Sequence, residues 1–223
     1  MQKPQRINPY LLPHKGLRHL LAKTSLLAGN LDVSKQSDIE QLHFLSLELF
    51  FLLEQHARTE DHMILPLLEQ KAPGSTIENM EEHERLEAMV HQLATQLDQL
   101  RFKAEPQLFI DYFLELSDFH SQYLAHMIME ERAVLDLIWT HFSDQELMDL
   151  HHRILASFSP EKILRWFRYI VPALNPSERF MVLSGLRDKA PKPFFDALIE
   201  VIKPELDEAV FSELLHQLTG VEA

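Results

Sequence analysis

The 223-residue chain carries 21 Lys and Arg against 34 Asp and Glu, a formal net charge of −13, with 46% hydrophobic residues and no cysteine. Such a surplus of negative charge repels phosphate backbones and anionic lipid surfaces, so no nucleic-acid or membrane partner is expected. The missing cysteines exclude disulfides, thiolate metal sites and cysteine nucleophiles, which leaves nitrogen and oxygen as the ligands of any metal. No apolar run approaches the ~18 residues of a membrane span. Pro4, Pro13, His14, Lys15 and Arg18 interrupt the opening segment in a way unlike a signal peptide, so a cytoplasmic protein is expected.

Only 5 glycines and long runs of Leu, Glu, Gln and Ala predict an all-α fold. The first helix is expected over residues 9 to 28, ending at Gly29-Asn30, with His14 on the same face as Leu17 and Leu21. Ser37-Asp-Ile-Glu40 fits a capping box and opens a second helix, 37 to 71. On that helix His56-Ala-Arg-Thr-Glu60-Asp61 lies among Leu49, Leu52, Leu53, Met63, Ile64 and Leu67. After a break at Ala72-Pro-Gly74, a second box, Ser75-Thr-Ile-Glu78, opens a third helix, 76 to 102. His83 there shares a stripe with Met80, Leu86, Val90 and Ala94. A break from Lys103 to Pro106 precedes the fourth helix, 106 to 141, where His126-Met-Ile-Met-Glu130-Glu131 lies among Phe119, Tyr123, Val134 and Leu137.

Short connections between long helices imply an up-down-up-down four-helix bundle, taken as a domain over 1 to 142. A third capping box, Ser143-Asp-Gln-Glu146, begins a run of shorter helices near 144 to 157, 160 to 173, 176 to 188, 192 to 203 and 206 to 219. Ser159-Pro160 and Asn175-Pro-Ser-Glu178 supply two of those starts. Residues 143 to 223 are expected to pack on the bundle or to mediate association, with a homodimer through these helices as one arrangement. Arg165 to Tyr169, Arg-Trp-Phe-Arg-Tyr, reads as a packed helix face. No internal repeat is evident along the chain.

The chemistry lies in the long helices, which hold 10 of the 13 histidines. Residues four apart on a helix are ~40° apart in projection and one turn along, so each His-x-x-x-Glu presents an imidazole and a carboxylate to one locus. Charged pairs inside apolar stripes are costly unless compensated, and a cation is the simplest compensation. With His14 and His83 on the other two helices, four histidines and two glutamates form a ligand set for two carboxylate-bridged metals. Imidazole and carboxylate suit iron, with zinc or manganese as alternatives.

In order and spacing these motifs resemble the hemerythrin-like, or HHE cation-binding, proteins of bacterial type over residues 10 to 141. The matching segments are His14-Lys-Gly-Leu-Arg18, His56 to Leu68 with its Ile64-Leu65-Pro66 run, Glu82-His83-Glu84 with Leu86, and His126 to Glu131. The resemblance implies a di-iron centre in which His14, His56, His83 and His126 are terminal ligands and Glu60 and Glu130 bridge. It also implies chemistry with oxygen, peroxide or nitric oxide. Oxygen carriers of this type have a further third-helix histidine where this chain has Glu87, and a final aspartate motif where it has Glu130-Glu131. Glu87 is a candidate for an additional ligand, a contact to one, or part of a surface charge row with Glu84 and Glu81; Tyr123 for donation to a bound ligand or a core position; and Arg18 for neutralising a bridging glutamate or facing solvent. His62, His91 and His120 fall 80° to 120° off the ligand stripes and suit the surface better, as does His151-His152.

Several function classes follow from this reading. One is a non-haem di-iron protein that senses, stores or scavenges a diatomic molecule or peroxide. The others are a di-iron oxidoreductase with an organic substrate, an iron-sulfur cluster repair protein, and a partner-binding module whose metal is structural. The repair reading lacks the amino-terminal cysteine-bearing domain common among such proteins.

Overall fold

The computed structural model describes residues 6–102 and 105–220, so the break expected from Lys103 falls partly outside the described residues. The protein is all-helical, with no strand among the described residues. Helices α1 (Leu11–Asn30), α2 (Gln36–Thr59), α3 (Leu65–Lys71), α4 (Ile77–Phe102), α5 (Pro106–Met129), α6 (Leu135–His141) and α7 (Asp144–Ala156) are followed by α8 (Pro160–Ala173), α9 (Pro176–Lys189), α10 (Lys192–Ile202) and α11 (Glu208–Thr219). None of the described helices is long and apolar enough to cross a membrane.

Three of the five expected starts carry the predicted cap. Asn175 and Glu178 form a reciprocal capping box, Ser143 Oγ accepts from the Glu146 amide at 3.3 Å while its own amide donates to Glu146, and Ser159 accepts from the Lys162 amide. Ser37 does not cap α2, which starts one residue earlier from Lys35 without a side-chain cap. Ser75 does not cap α4, because Glu69 reaches back instead and accepts from the Gly74 amide and the Thr76 hydroxyl. Gly74, at φ 84°, takes the left-handed conformation that this reversal requires.

The chain divides into two compact units, one of residues up to Leu11 with Leu20–Leu155, the other of Leu12–His19 with the residues from Ala156 onward. This differs from the division expected at 142/143. Leu147 and Leu150 of α7 belong to a core with Tyr10, Leu65, Leu68, Ile138 and Phe142, so α7 is part of the first unit. Arg6 and Lys71 fasten it further, through Arg6 to Asp144 at 2.7 Å and Lys71 to Glu146 at 2.8 Å.

Within the first unit the long helices run antiparallel to their neighbours. Going down α2, His43 faces Asp98 and Asp61 faces His83 on α4. Gln92 and Arg85 of α4 meet Glu115 and Gln122 of α5, and Ser25 of α1 meets His120 at 2.9 Å. Gly29 lets α1 approach α5 closely, since a Cβ there would lie 3.2 Å from the Phe113 ring.

The second unit packs Val171, Leu183, Leu198, Ile202, Leu214 and Leu218 into its own core. A Cβ on Gly16 would lie 2.9 Å from Ile170, and Lys15 pairs with Glu178 at 2.6 Å. Trp166 and Tyr169 are buried and Arg168 pairs with Glu205 at 2.7 Å, which makes the Arg165 to Tyr169 segment a packed face as expected. Arg179 donates to the carbonyls of Val171 and Leu174 at 3.1 and 2.8 Å, satisfying acceptors that the end of α8 leaves open.

Candidate metal centre

The expected helices 37 to 71 and 106 to 141 are each interrupted, at the carboxylate of the His-x-x-x-Glu motif. Glu60–Ile64 and Glu130–Val134 form single π-helical turns, closed by the Leu65 amide on the Glu60 carbonyl and the Leu135 amide on the Glu130 carbonyl. A π turn holds one extra residue, which swings the following helix by up to ~100° about its axis. Pro66 follows the first interruption, but no proline follows the second, so proline is not the common cause. What the two share is the motif glutamate at their first position.

This exposes a repeat that the sequence hides. A shift of 70 residues carries α2 onto α5, His56 onto His126, Glu60 onto Glu130, one π turn onto the other, and α3 onto α6. Lys71 and His141, which end the two segments, are equivalent under the same shift and touch: Lys71 Nζ donates to the His141 carbonyl at 3.1 Å.

The repeated residues converge. His56 Nε2 lies 3.1 Å from Glu60 Oε1, and His126 Nε2 lies 3.1 Å from Glu130 Oε1. His83 Nε2, from α4, lies 3.2 Å from Glu60 Oε2 and 3.4 Å from Glu130 Oε1. All five residues are buried. Glu60, His83, His126 and Glu130 each offer a ligand atom within 4.8 Å of all the others, a group that could hold a metal ion. Two atoms bound to one metal at 2.0–2.1 Å, with right or tetrahedral angles between them, stand about 2.9–3.4 Å apart, the spacing found here. Both Glu60 oxygens and the Nε2 atoms of His83 and His126 are buried without a hydrogen bond. Buried polar atoms are seldom left so, which fits donors directed at a cation.

The surroundings orient these donors. His83 Nδ1 bonds Asp61 Oδ1 at 2.7 Å and His126 Nδ1 bonds Glu82 Oε2 at 3.2 Å, leaving Nε2 of each turned inward. Carboxylates behind ligand imidazoles fix the ring and the tautomer and raise basicity. Asn79 Nδ2 donates to Glu130 Oε1 at 2.9 Å. Burial, then the charge of Glu130, pushes the Glu60 carboxyl well above the usual range, while His83 opposes that rise. Burial works against a charged His83, but Asp61, Glu130 and Glu60 together push it up to about 12.

Tyr10 and Tyr123 are buried beside the carboxylates. Burial first, then the charges of Glu60 and Glu130, holds both phenols well above their usual range, so they remain protonated. Tyr123 stacks edge-on to His126 with centroids 5.7 Å apart.

His14 is fully buried on α1, in the Leu12–His19 stretch that belongs to the second unit. Arg18 is half-buried in the same stretch. Glu87 is exposed one turn beyond His83 and is not among the converging donors. His62 and His91 are exposed, and His120 is hydrogen-bonded to Ser25. Sequence reading quoted Asp61 and Glu82 within the motifs but gave them no role, and did not single out Asn79 or Tyr10. Spacing held a signal for two of them: Asn79 precedes His83 by four residues, as Tyr10 precedes His14.

A cleft of about 900 Å³ runs along the seam of α2 and α4. Leu47, Phe50, Phe51, Val90 and Ala94 line one end, and Glu54, Arg58, Asp61, His83, Glu84 and Glu87 the other, with Tyr123 also in its wall.

No family model matches the chain, and no solved structure matches it. It is similar to F-box/LRR-repeat protein 5 of Xenopus laevis, 21% identical over 160 residues, and of Mus musculus, 22% identical over 160 residues. Each alignment covers 71% of this chain and 23% of the relative, so the match spans about a quarter of the relatives' length.

Proposed function

We propose that the protein is a non-haem di-iron protein of hemerythrin-like type, in which α1, α2, α4 and α5 form a four-helix bundle around two carboxylate-bridged irons, and that it binds or reacts with oxygen, peroxide or nitric oxide. The observation that carries this reading is the convergence of His56, Glu60, His83, His126 and Glu130, all buried, at ligand-to-ligand spacings of 3.1 to 3.4 Å. His14 is assigned as the sixth ligand by the motif resemblance, which also favours iron over zinc or manganese.

When bound, a pair of irons with fewer protein ligands than coordination positions supplies reversible binding and one-electron chemistry toward small oxidants. The chain's own residues supply the rest. Asp61 and Glu82 hold the imidazoles of His83 and His126 in register, and Asn79 donates to Oε1 of Glu130, the oxygen that converges with those imidazoles, and so fixes the carboxylate. Tyr10 and Tyr123 remain protonated beside the carboxylates and are placed to donate a hydrogen bond or a proton. Leu49, Leu52, Leu53, Leu86, Leu116 and Phe119 are buried and exclude bulk water.

A second reading, an oxidoreductase acting on an organic molecule, is favoured by the apolar end of the cleft, which is larger than a diatomic ligand requires. Metal analysis with optical spectra of anaerobically purified protein, before and after oxygen, peroxide or nitric oxide, tests the main reading. About two irons per chain and a spectrum that changes with these ligands are expected. A metal content near zero after reconstitution with iron would overturn it. Faster reduction of an alkyl hydroperoxide with an apolar tail than of hydrogen peroxide would favour the second reading.

A further inference from the structure

The donors of the centre lie behind closely packed helices, so a cation has to be admitted somewhere. We propose that the polar end of the α2–α4 cleft is the loading path for divalent cations, with Glu54, Glu84 and Glu87 gathering the ion at the mouth and His83 receiving it. This rests on the metal-binding reading above and adds to it a route and a set of residues.

Three observations meet at this place. First, of the five converging donors, His83 alone lines the cleft, and it is also the most exposed of them at 7%. Its Nδ1 bonds Asp61 of the cleft wall, and its Nε2, buried without a hydrogen bond, stands 3.2 Å from Glu60 Oε2, so one side chain joins the cleft wall to the centre.

Second, the charge of the cleft is uneven along its length. Antiparallel packing sets Leu47 near Ala94 at the apolar end, and Asp61 against His83 at the other. Near His83 the wall holds four carboxylates, Glu54, Asp61, Glu84 and Glu87, and one guanidinium, Arg58. Arg58 lies 3.3 Å from Glu54, so its charge is already directed to one of the four. A concave, low-dielectric wall of one sign focuses field and raises the local concentration of the opposite ion.

Third, the acids are spaced to hand a cation inward. Glu87 lies one helical turn from His83, ~40° away in projection, and Glu84 follows His83 directly at ~100°, and both exposed carboxylates line the cleft together with the imidazole. Exposed carboxylates can take hold of a hydrated divalent ion, whose remaining waters are exchanged as deeper ligands engage.

The test follows metal uptake by metal-free full-length protein, with cobalt(II) as a coloured probe and iron(II) under argon as the second ion. In Glu54→Gln/Glu84→Gln/Glu87→Gln the association rate should fall about tenfold at low ionic strength. The difference should close as salt is added, and final stoichiometry should stay native. A control with three distant acids neutralised, Glu40→Gln/Asp111→Asn/Asp149→Asn, should load at close to the native rate. Equal rates for the native and cleft variants overturn the path, and so does equal slowing by the control. A cleft variant that fails to reach native stoichiometry overturns it too, because those carboxylates would then be ligands of the finished site. Native protein that takes up neither ion overturns the metal-binding reading itself.

Discussion

The two segments related by the 70-residue shift have one backbone and different support. Both present an imidazole, a carboxylate and a π turn in the same register, yet Glu130 is held by Asn79 whereas neither carboxylate oxygen of Glu60 has a hydrogen-bond partner, and its carboxyl is driven up by burial and by Glu130. Behind the rings, Asp61 sits 2.7 Å from His83 and Glu82 sits 3.2 Å from His126. The repeated positions are those that would touch a metal. The unequal positions are those that set how firmly each donor is held, so the two metal positions proposed here are expected to differ in affinity.

The largest effect should come from the carboxylates. Glu60→Ala or Glu130→Ala is expected to remove both metals, because a bridging group serves the pair, and retention of two irons with an unchanged spectrum would refute bridging. Glu60→Gln should part function from stability. It should abolish metal binding yet raise the melting temperature of the metal-free protein, since a carboxyl whose ionisation burial and Glu130 oppose is replaced by a neutral amide. His56→Ala and His126→Ala should each cost mainly one metal, and metal analysis showing loss of neither would mean that packed histidines have been taken for ligands.

Leu147→Ala should destabilise the first unit by about 2–5 kcal/mol, the usual cost of an emptied leucine site, with metal content kept in the folded fraction. Denaturant unfolding measures it, and an unchanged midpoint would return α7 to the periphery. Smaller effects test the asymmetry. Asp61→Asn should weaken metal affinity about 10–100-fold, and Glu82→Gln less, in line with their distances. Equal losses in a chelator competition would erase the predicted difference.

The smallest effect concerns Glu146. Lys71 first, then the Ser143 amide, depresses its carboxyl from the ordinary value to about 2. A depressed acid stabilises the fold above its unfolded pKa, and that contribution is lost as pH falls through the folded value. Glu146→Gln should therefore lower the melting temperature slightly at neutral pH, with the deficit fading between about pH 4.5 and 2.

Helix type and the inward histidines could be read from the sequence because period and spacing encode them directly. His56, Glu60, His126 and Glu130 were visible as an i, i+4 pattern on apolar stripes, and His83 as a lone histidine on another. The π turns were not, since one extra residue per turn leaves composition and local propensity unchanged. The role of Asp61 was missed for the same reason: on an ideal α-helix it points ~100° away from Glu60, and it reaches His83 from inside the π turn. Ser37 and Ser75 matched a four-residue motif without capping anything: α2 begins ahead of Ser37, with the Asp38 amide on the Lys35 carbonyl, and the turn before α4 is held by Glu69. The limit of the first unit was misplaced because a capping box marks where a helix begins and carries no information on which core it joins.

The contact between Lys71 and His141 bears on ancestry. Two residues that correspond under a repeat can touch each other only where the repeat's rotation axis passes, so each half of the first unit faces its own counterpart there. Fusion of two copies of a helix pair would leave this geometry behind. Each copy brings one His-x-x-x-Glu pair, so the converging donors are drawn from both copies.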